Sequence, residues 1–406
     1  MPGCYKDSMR VMNPETLGAE PIDVERIPLG THGDYKPCVA KLNNGDLLVS
    51  AFRTAPAIHG AYWSNYHDWN ANDQPWMHPQ RIVLETTLLF RSTDGGRHWS
   101  PPRLANVAGR EPYLSVMEDG TLLMTAHLSS SNIINKDGYC YGLLHRSPDN
   151  GESWFTTRAQ PQMAVPARYS YADCTTRNVI QLQDGSYFFI ASGVGPDADT
   201  VFRSRDGGVL WDEQYPAVVG DQPEGYLWPV FGEAVLWQAR SGNLFVILRV
   251  DCRGWPDIEG GSLGMNKEDM IDQYDRLVLY KSEDEGRTWH GVREFADYGQ
   301  MYPAITRLQD GRLLLTFTQR AKDRPLGLRA VVGTEHDDGI DFDLTSDVIV
   351  IEEHTPDHQD SGGGFGRTVQ LDDGTLVSSY SYKKDSDEWA GNYSGLHLEI
   401  ARWRLP

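Results

Sequence analysis

Four segments of the chain share the pattern S-x-D-x-G-x-x-W: residues 92–99, 147–154, 204–211 and 282–289. A fifth, worn copy keeps Asp337, Gly339 and Phe342 at the same offsets. The residue types suit a structural turn. Asp accepts backbone N–H groups, Gly takes the left-handed conformation, and Trp packs beneath the next strand. One such segment would say little. Repetition at matched places in a longer period restricts the chain to a repeat architecture.

A second series runs in step with the first. Gly45, Gly120, Gly185, Gly242, Gly311 and Gly374 each stand in a short turn between two apolar runs. Turn residues between alternating apolar runs mark hairpins. Each hairpin is followed by a third strand that leads into the turn motif, and a fourth strand would close the unit. Six such units predict an all-β, six-bladed β-propeller. The repeats cover nearly the whole of residues 1–406, which we read as a single domain. The first blade is expected to start near Tyr35. The earlier stretch 22–29 has strand character and is expected to join the last blade beside residues 396–405, closing the ring.

The turn glycines also index the blades. Nine residues before them stand Lys36, Glu111, Thr176, Glu233, Tyr302 and Phe365. Seven to nine residues after them stand Arg53, His127, Ser192, Arg249 and Arg320, with Ser381 and Tyr382 in the last blade. Antiparallel pairing brings both sets to one face of the ring. Arg110, Arg324 and Arg367 lie nearby in sequence. Bases, carboxylates and aromatics therefore gather where a core alone would not need them. A long insertion at residues 59–78 carries three Trp and two Tyr, a composition suited to a lid that stacks on sugar rings. It also holds Asp68 and Asp73, candidates for a general acid. Its histidines are irregularly spaced, so we expect no metal there and no cofactor elsewhere.

Net charge is −20, from 57 acidic and 37 basic residues. That balance argues against nucleic acid and anionic membranes as partners. The bases indexed to the mouth instead predict a positive pocket within a negative shell. No run of about 18 apolar residues occurs, so no spanning helix is expected. The five cysteines are scattered and never spaced as CxxC. With no apolar leader in the sequence, they fit buried thiols in the cytoplasm. Walker, Rossmann, GxSxG and HExxH motifs are absent from the sequence.

The repeated turn resembles the Asp-box of the sialidase (neuraminidase) superfamily, and the resemblance covers most of the chain. It implies a six-bladed propeller and a glycosidase acting on a glycan. Carried over residue by residue, the resemblance places the family's glutamate at Glu233 and an arginine at Arg249. A further arginine falls on Arg324, with Arg320 as its rival, and the general acid on Asp68 or Asp73. Two positions depart. Lys36 stands where the family opens with arginine, and Phe365 where it has its tyrosine nucleophile. Phenylalanine has no hydroxyl with which to form a covalent intermediate.

Three functions follow as expectations. The first is an exo-acting glycoside hydrolase on a terminal acidic sugar, with Lys36, Arg53, Glu111, Arg249, Arg320, Arg324 and Arg367 binding substrate. There Glu233 is the base or activates a nucleophile, and either Tyr302 or water attacks. The second is a polysaccharide lyase on uronate-containing glycans, with His127 or Tyr302 removing a proton. The third is a carbohydrate-binding propeller without catalysis.

Overall fold

The computed structural model describes residues 4–30, 34–56, 83–128, 141–158, 175–191, 199–220, 233–250, 276–295, 298–321, 326–353, 364–383 and 396–406. These residues form strands and turns, with no helix among them. The first four blades are separate sheets, antiparallel throughout except that Val218–Val219 joins the outer edge of the fourth in parallel, Val218 opposite Thr288. Blade 1 comprises Asp34–Lys41, Leu47–Pro56, Val83–Ser92 and Arg103–Ala108. Blade 2 comprises Arg110–Val116, Leu122–Leu128, Tyr141–Ser147 and Phe155–Arg158. Blade 3 comprises Ile180–Gln181, Tyr187–Ala191, Thr200–Ser204 and Glu213–Pro216. Blade 4 comprises Val235–Gln238, Leu244–Val250, Arg276–Ser282 and Thr288–Glu294.

Blades 5 and 6 share one continuous sheet. Blade 5 is Gln300–Arg307, Leu313–Gln319, Gly327–His336 and Val348–Val350. Blade 6 is Gly364–Gln370, Leu376–Lys383, Leu396–Trp403 and, as expected from the sequence, the N-terminal strand Ile22–Leu29. That strand pairs antiparallel with Leu396–Trp403, Val24 opposite Trp403. Tyr5–Met12 was not foreseen as a strand. It pairs with Ile22–Leu29 on one side and Val348–Val350 on the other, stitching blade 5 to blade 6. Arg26 fastens this closure. Its Nε donates to Asp7 at 2.8 Å, Nη1 to the Tyr380 hydroxyl at 2.6 Å and Nη2 to the Ile351 carbonyl at 2.9 Å.

The ring follows from residue alternation. Successive side chains of a strand point to opposite faces. Phe188 therefore packs toward Leu236 and Val246 of blade 4, while Phe189 packs toward Leu123 and Leu144 of blade 2. The same division recurs between every pair of neighbouring blades, with Phe245 against Phe317 and Leu314 against Trp403. Val49 meets Val377, and Leu48 meets Met124. Each fully buried Leu or Phe contributes about 1.5–3 kcal/mol relative to exposure.

The repeated turn seals these interfaces. In the fourth copy Asp284 Oδ1 accepts from the backbone N–H of Arg287 and Thr288 at 3.1 and 2.9 Å. The Ser282 hydroxyl donates to Asp284 and accepts from Gly286 N–H, and Trp289 Nε1 donates to the Gly286 carbonyl. Gly286 has φ +87° and lies so close to Phe188 of the preceding blade that a Cβ would come within 2.7 Å of it. The third copy differs. Trp211 Nε1 is buried there without a hydrogen-bond partner among the described residues.

Candidate functional site

Five of the six residues indexed nine positions before the turn glycines have left-handed backbone: Lys36 (φ 46°), Glu111 (57°), Glu233 (60°), Tyr302 (61°) and Phe365 (54°). This conformation is uncommon outside glycine. In four blades its cause is a β-bulge. Lys36 and Pro37 together face Ala51, because the register passes from Tyr35–Phe52 directly to Cys38–Ser50. Blades 2, 5 and 6 slip at the same place. Bulges re-aim side chains and recur beside functional sites. Thr176 of blade 3 stays outside the left-handed region, and its hydroxyl bonds its own blade, accepting from Ile190 N–H at 3.2 Å.

The re-aimed side chains converge. Lys36 Nζ lies 2.5 Å from Glu111 Oε1 and 3.4 Å from Glu233 Oε1. The same nitrogen sits 4.7 Å from the Tyr302 ring centre and 4.6 Å from that of Phe365. Arg177 of blade 3 covers the Tyr302 ring as well. Contact between groups from all six blades places the cluster on the axis of the ring.

Charge is closely paired there. Arg249 Nη1 donates to Glu233 Oε2. Arg110 Nε stands 3.6 Å from Glu85 and 3.8 Å from Glu111. Arg53 forks onto the buried Asp34 at 2.7 and 3.0 Å. Burial pushes the Glu233 carboxyl up, but Arg249, Lys36 and Arg177 together hold it well below the usual carboxylate range. Burial likewise opposes ionisation of Glu111, and the Lys36 charge holds it below the usual carboxylate value. Burial draws the Lys36 ammonium down while both glutamates support it. We take the ion pair as the resting state, because two carboxylates flank one amine. Within the positive pocket expected from the sequence, Lys36, Arg53, Arg110 and Arg249 thus face carboxylates from the protein itself.

The other indexed residues divide. Arg320 is buried, its guanidinium 5.2 Å from the Phe365 ring centre and Nη1 3.3 Å from Met301 Sδ. Arg367 is engaged elsewhere, donating to the Leu114 carbonyl at 2.6 Å and lying over Tyr113. The Ser381 hydroxyl accepts from Lys36 N–H at 3.0 Å, and Tyr382 packs on His397. Buried His127 stands opposite Arg110 in the strand register, and its Nε2 has no hydrogen-bond partner among the described residues. Burial pulls its imidazole down to about 3, so it is neutral at pH 7. Asp68, Asp73, Arg324 and Ser192 lie outside the described residues, as does the insertion 59–78. Index counting missed Arg177, one residue past Thr176, and Asp34, Tyr35 and Glu85. Tyr35 and Phe52 complete an aromatic wall with Tyr302 and Phe365, and Met301 packs in the same cluster.

No family model matches the sequence, and no curated protein matches it. Solved structures do. A protein of unknown function from Dyadobacter fermentans aligns over 100% of both chains at 18% identity, with TM-score 0.61. The NanB sialidase of Streptococcus pneumoniae aligns over 92% of this chain and 68% of its own at 12% identity, with TM-score 0.55. The intramolecular trans-sialidase of Ruminococcus gnavus aligns over 92% and 94% at 14% identity, with TM-score 0.52.

The fold is that of the sialidase propellers. At these identities the likeness concerns the fold alone. In this sialidase-like ring, the position that the sequence resemblance assigns to the tyrosine nucleophile holds Phe365, fully buried. A tyrosine stands beside it nonetheless. The Tyr302 ring meets Phe365 edge-on, with centres 4.7 Å apart.

Proposed function

We propose that the chain is a glycoside hydrolase acting on a terminal, acidic sugar of a glycan. One observation carries this reading: Glu233 is held on a left-handed kink at the ring axis, ionised, between Arg249 and a Lys36 whose ammonium also approaches the Tyr302 ring. A carboxylate fixed in this way serves as a base or stabilises a developing oxocarbenium ion. Both glutamates approach Lys36 Nζ and are kept ionised by its charge, so neither is suited to protonate the leaving oxygen. That proton is assigned to Asp68 or Asp73. Arg249 and Arg320 or Arg324 would orient the substrate's charged group. With Phe365 lacking a hydroxyl, Tyr302 is the nucleophile that Glu233 activates.

A lyase is the second reading, favoured by the unpartnered Nε2 of neutral His127 beside Glu111. An imidazole that protonates only near pH 3 is a weak base for removing a carbon-bound proton. The test is a panel of aryl glycosides, sialosides and uronates included, together with uronate-containing polysaccharides. Release of the aryl alcohol supports the hydrolase. An unsaturated uronate chromophore selects the lyase. Binding without turnover leaves a carbohydrate-binding propeller.

A further inference from the structure

His127 stands apart from the polar groups around it. Lys36, Arg110 and Arg249 each have a carboxylate within salt-bridge distance, and the Ser381 hydroxyl accepts from Lys36 N–H. His127 Nε2 has no hydrogen-bond partner among the described residues, though the side chain is only 7% exposed. A buried polar atom in that state is unfavourable until a ligand or a water completes it. The backbone fixes its place, since His127 pairs with Arg110 on one side and Gly142 on the other. On the same strand Leu123 packs with blade 3, and the Thr125 hydroxyl donates to the Arg177 carbonyl of that blade. Alternation puts His127 on that face as well, two residues nearer the mouth. Burial keeps its imidazole uncharged at neutral pH; Arg110 and Lys36 add to this effect, and Glu111 and Glu233 oppose it.

We infer that His127 is a specificity-determining residue that hydrogen-bonds an uncharged hydroxyl group of the sugar. The inference rests on reading the axis cluster as a sugar site, and adds a contact that selects among sugars of equal charge. A neutral imidazole has one N–H donor and one bare nitrogen acceptor. A carboxylate only accepts and an ammonium only donates, so each suits Nε2 in one tautomer alone. A hydroxyl does both and satisfies Nε2 in either. Selectivity follows from the same burial. A sugar lacking that hydroxyl leaves Nε2 unpaired, and sites built around a substrate hydroxyl reject such analogues strongly. The role also suits the chemistry of the ring. Hydrogen bonding moves no proton, so an imidazole too weakly basic to attack a carbon-bound proton is well fitted to it.

The experiment measures kcat/KM on the best-cleaved aryl glycoside and on analogues that each lack one of its hydroxyls, for the full chain and for His127→Phe. One analogue is expected to lose about 10–100-fold in the parent. In His127→Phe the same analogue should come within about threefold of the full substrate. His127→Gln keeps a donor and an acceptor and should retain part of the discrimination. His127→Ala carries the comparison if His127→Phe fails to fold. An equal loss in parent and variant overturns the inference and leaves the hydrolase reading standing, as does a parent that treats every analogue alike. If no glycoside is cleaved, calorimetry with the same sugars reads the same comparison. Discrimination that depends on His127 then keeps the inference while the hydrolase reading fails. A parent that neither binds nor cleaves any of them ends both.

Discussion

Lys36 Nζ lies 3.4 Å from Glu233 Oε1, though 197 residues separate them along the chain. Both stand on left-handed kinks nine residues before a turn glycine. The contact joins blade 1 to blade 4 across the ring, so it reports the ring's geometry as well as its chemistry.

That contact and the 2.5 Å pair that Lys36 Nζ makes with Glu111 predict a coupled stability effect. Lys36→Met would strand Glu111 and Glu233, and breaking a buried pair costs about 3–5 kcal/mol. Adding Glu111→Gln should return part of the loss, with a coupling energy of about 0.5–3 kcal/mol. Denaturant titration of the four members of the cycle measures it. Strict additivity would show that the pair does not interact in solution.

The acid limb of stability should report buried histidine. His145 is fully buried; its Nδ1 meets the Thr156 hydroxyl at 2.8 Å and its Nε2 the Ala108 carbonyl at 3.0 Å. Burial lowers it to about 4. Because the folded value lies below the unfolded one, its contribution is complete above about pH 6.5 and is lost as pH falls toward the folded value. The full loss is about 3 kcal/mol. His127 acts in the same direction over a window reaching to about 3. Unfolding measured from pH 7 to pH 4 should show falling stability, with a shallower slope in His145→Gln. An equal slope in that variant would remove His145 as a cause.

The fold was legible because its signals are local and repeated. Turn glycines and Asp-box residues act within a few positions of one another, and strand alternation separates Phe188 from Phe189 without reference to the rest of the chain. Ring closure by Ile22–Leu29 was legible for the same reason. Tyr5–Met12 was not, since its exposed, charged face lacks the apolar alternation of a core strand. At the site, counting back nine residues found Lys36, Glu111, Glu233, Tyr302 and Phe365, and a shared backbone kink explains why one count serves all five. Blade 3 lacks the kink, so Thr176 turns to its own strand and Arg177 reaches the axis instead. Pairing was also invisible in the sequence. Arg53 reads as a free base until Asp34 is seen across the strand from it.

Tyr302 should divide the two modes of attack. If its hydroxyl is the nucleophile, Tyr302→Phe leaves binding intact and removes turnover, by at least about a thousandfold. Trapping with a fluorinated glycoside should then label Tyr302 in the parent. Turnover within tenfold of the parent would point to direct attack by water, with inversion at the anomeric carbon.

The central claim is that Glu233, held between Lys36 and Arg249, does chemistry on a glycoside. The most direct measurement is kcat/KM of the parent and of Glu233→Gln on the best substrate of the aryl-glycoside panel, with folding of both checked by thermal unfolding. The account predicts a folded variant that has lost at least about a hundredfold in kcat/KM, mostly in kcat. A folded Glu233→Gln that turns over substrate at the parent's rate would contradict it.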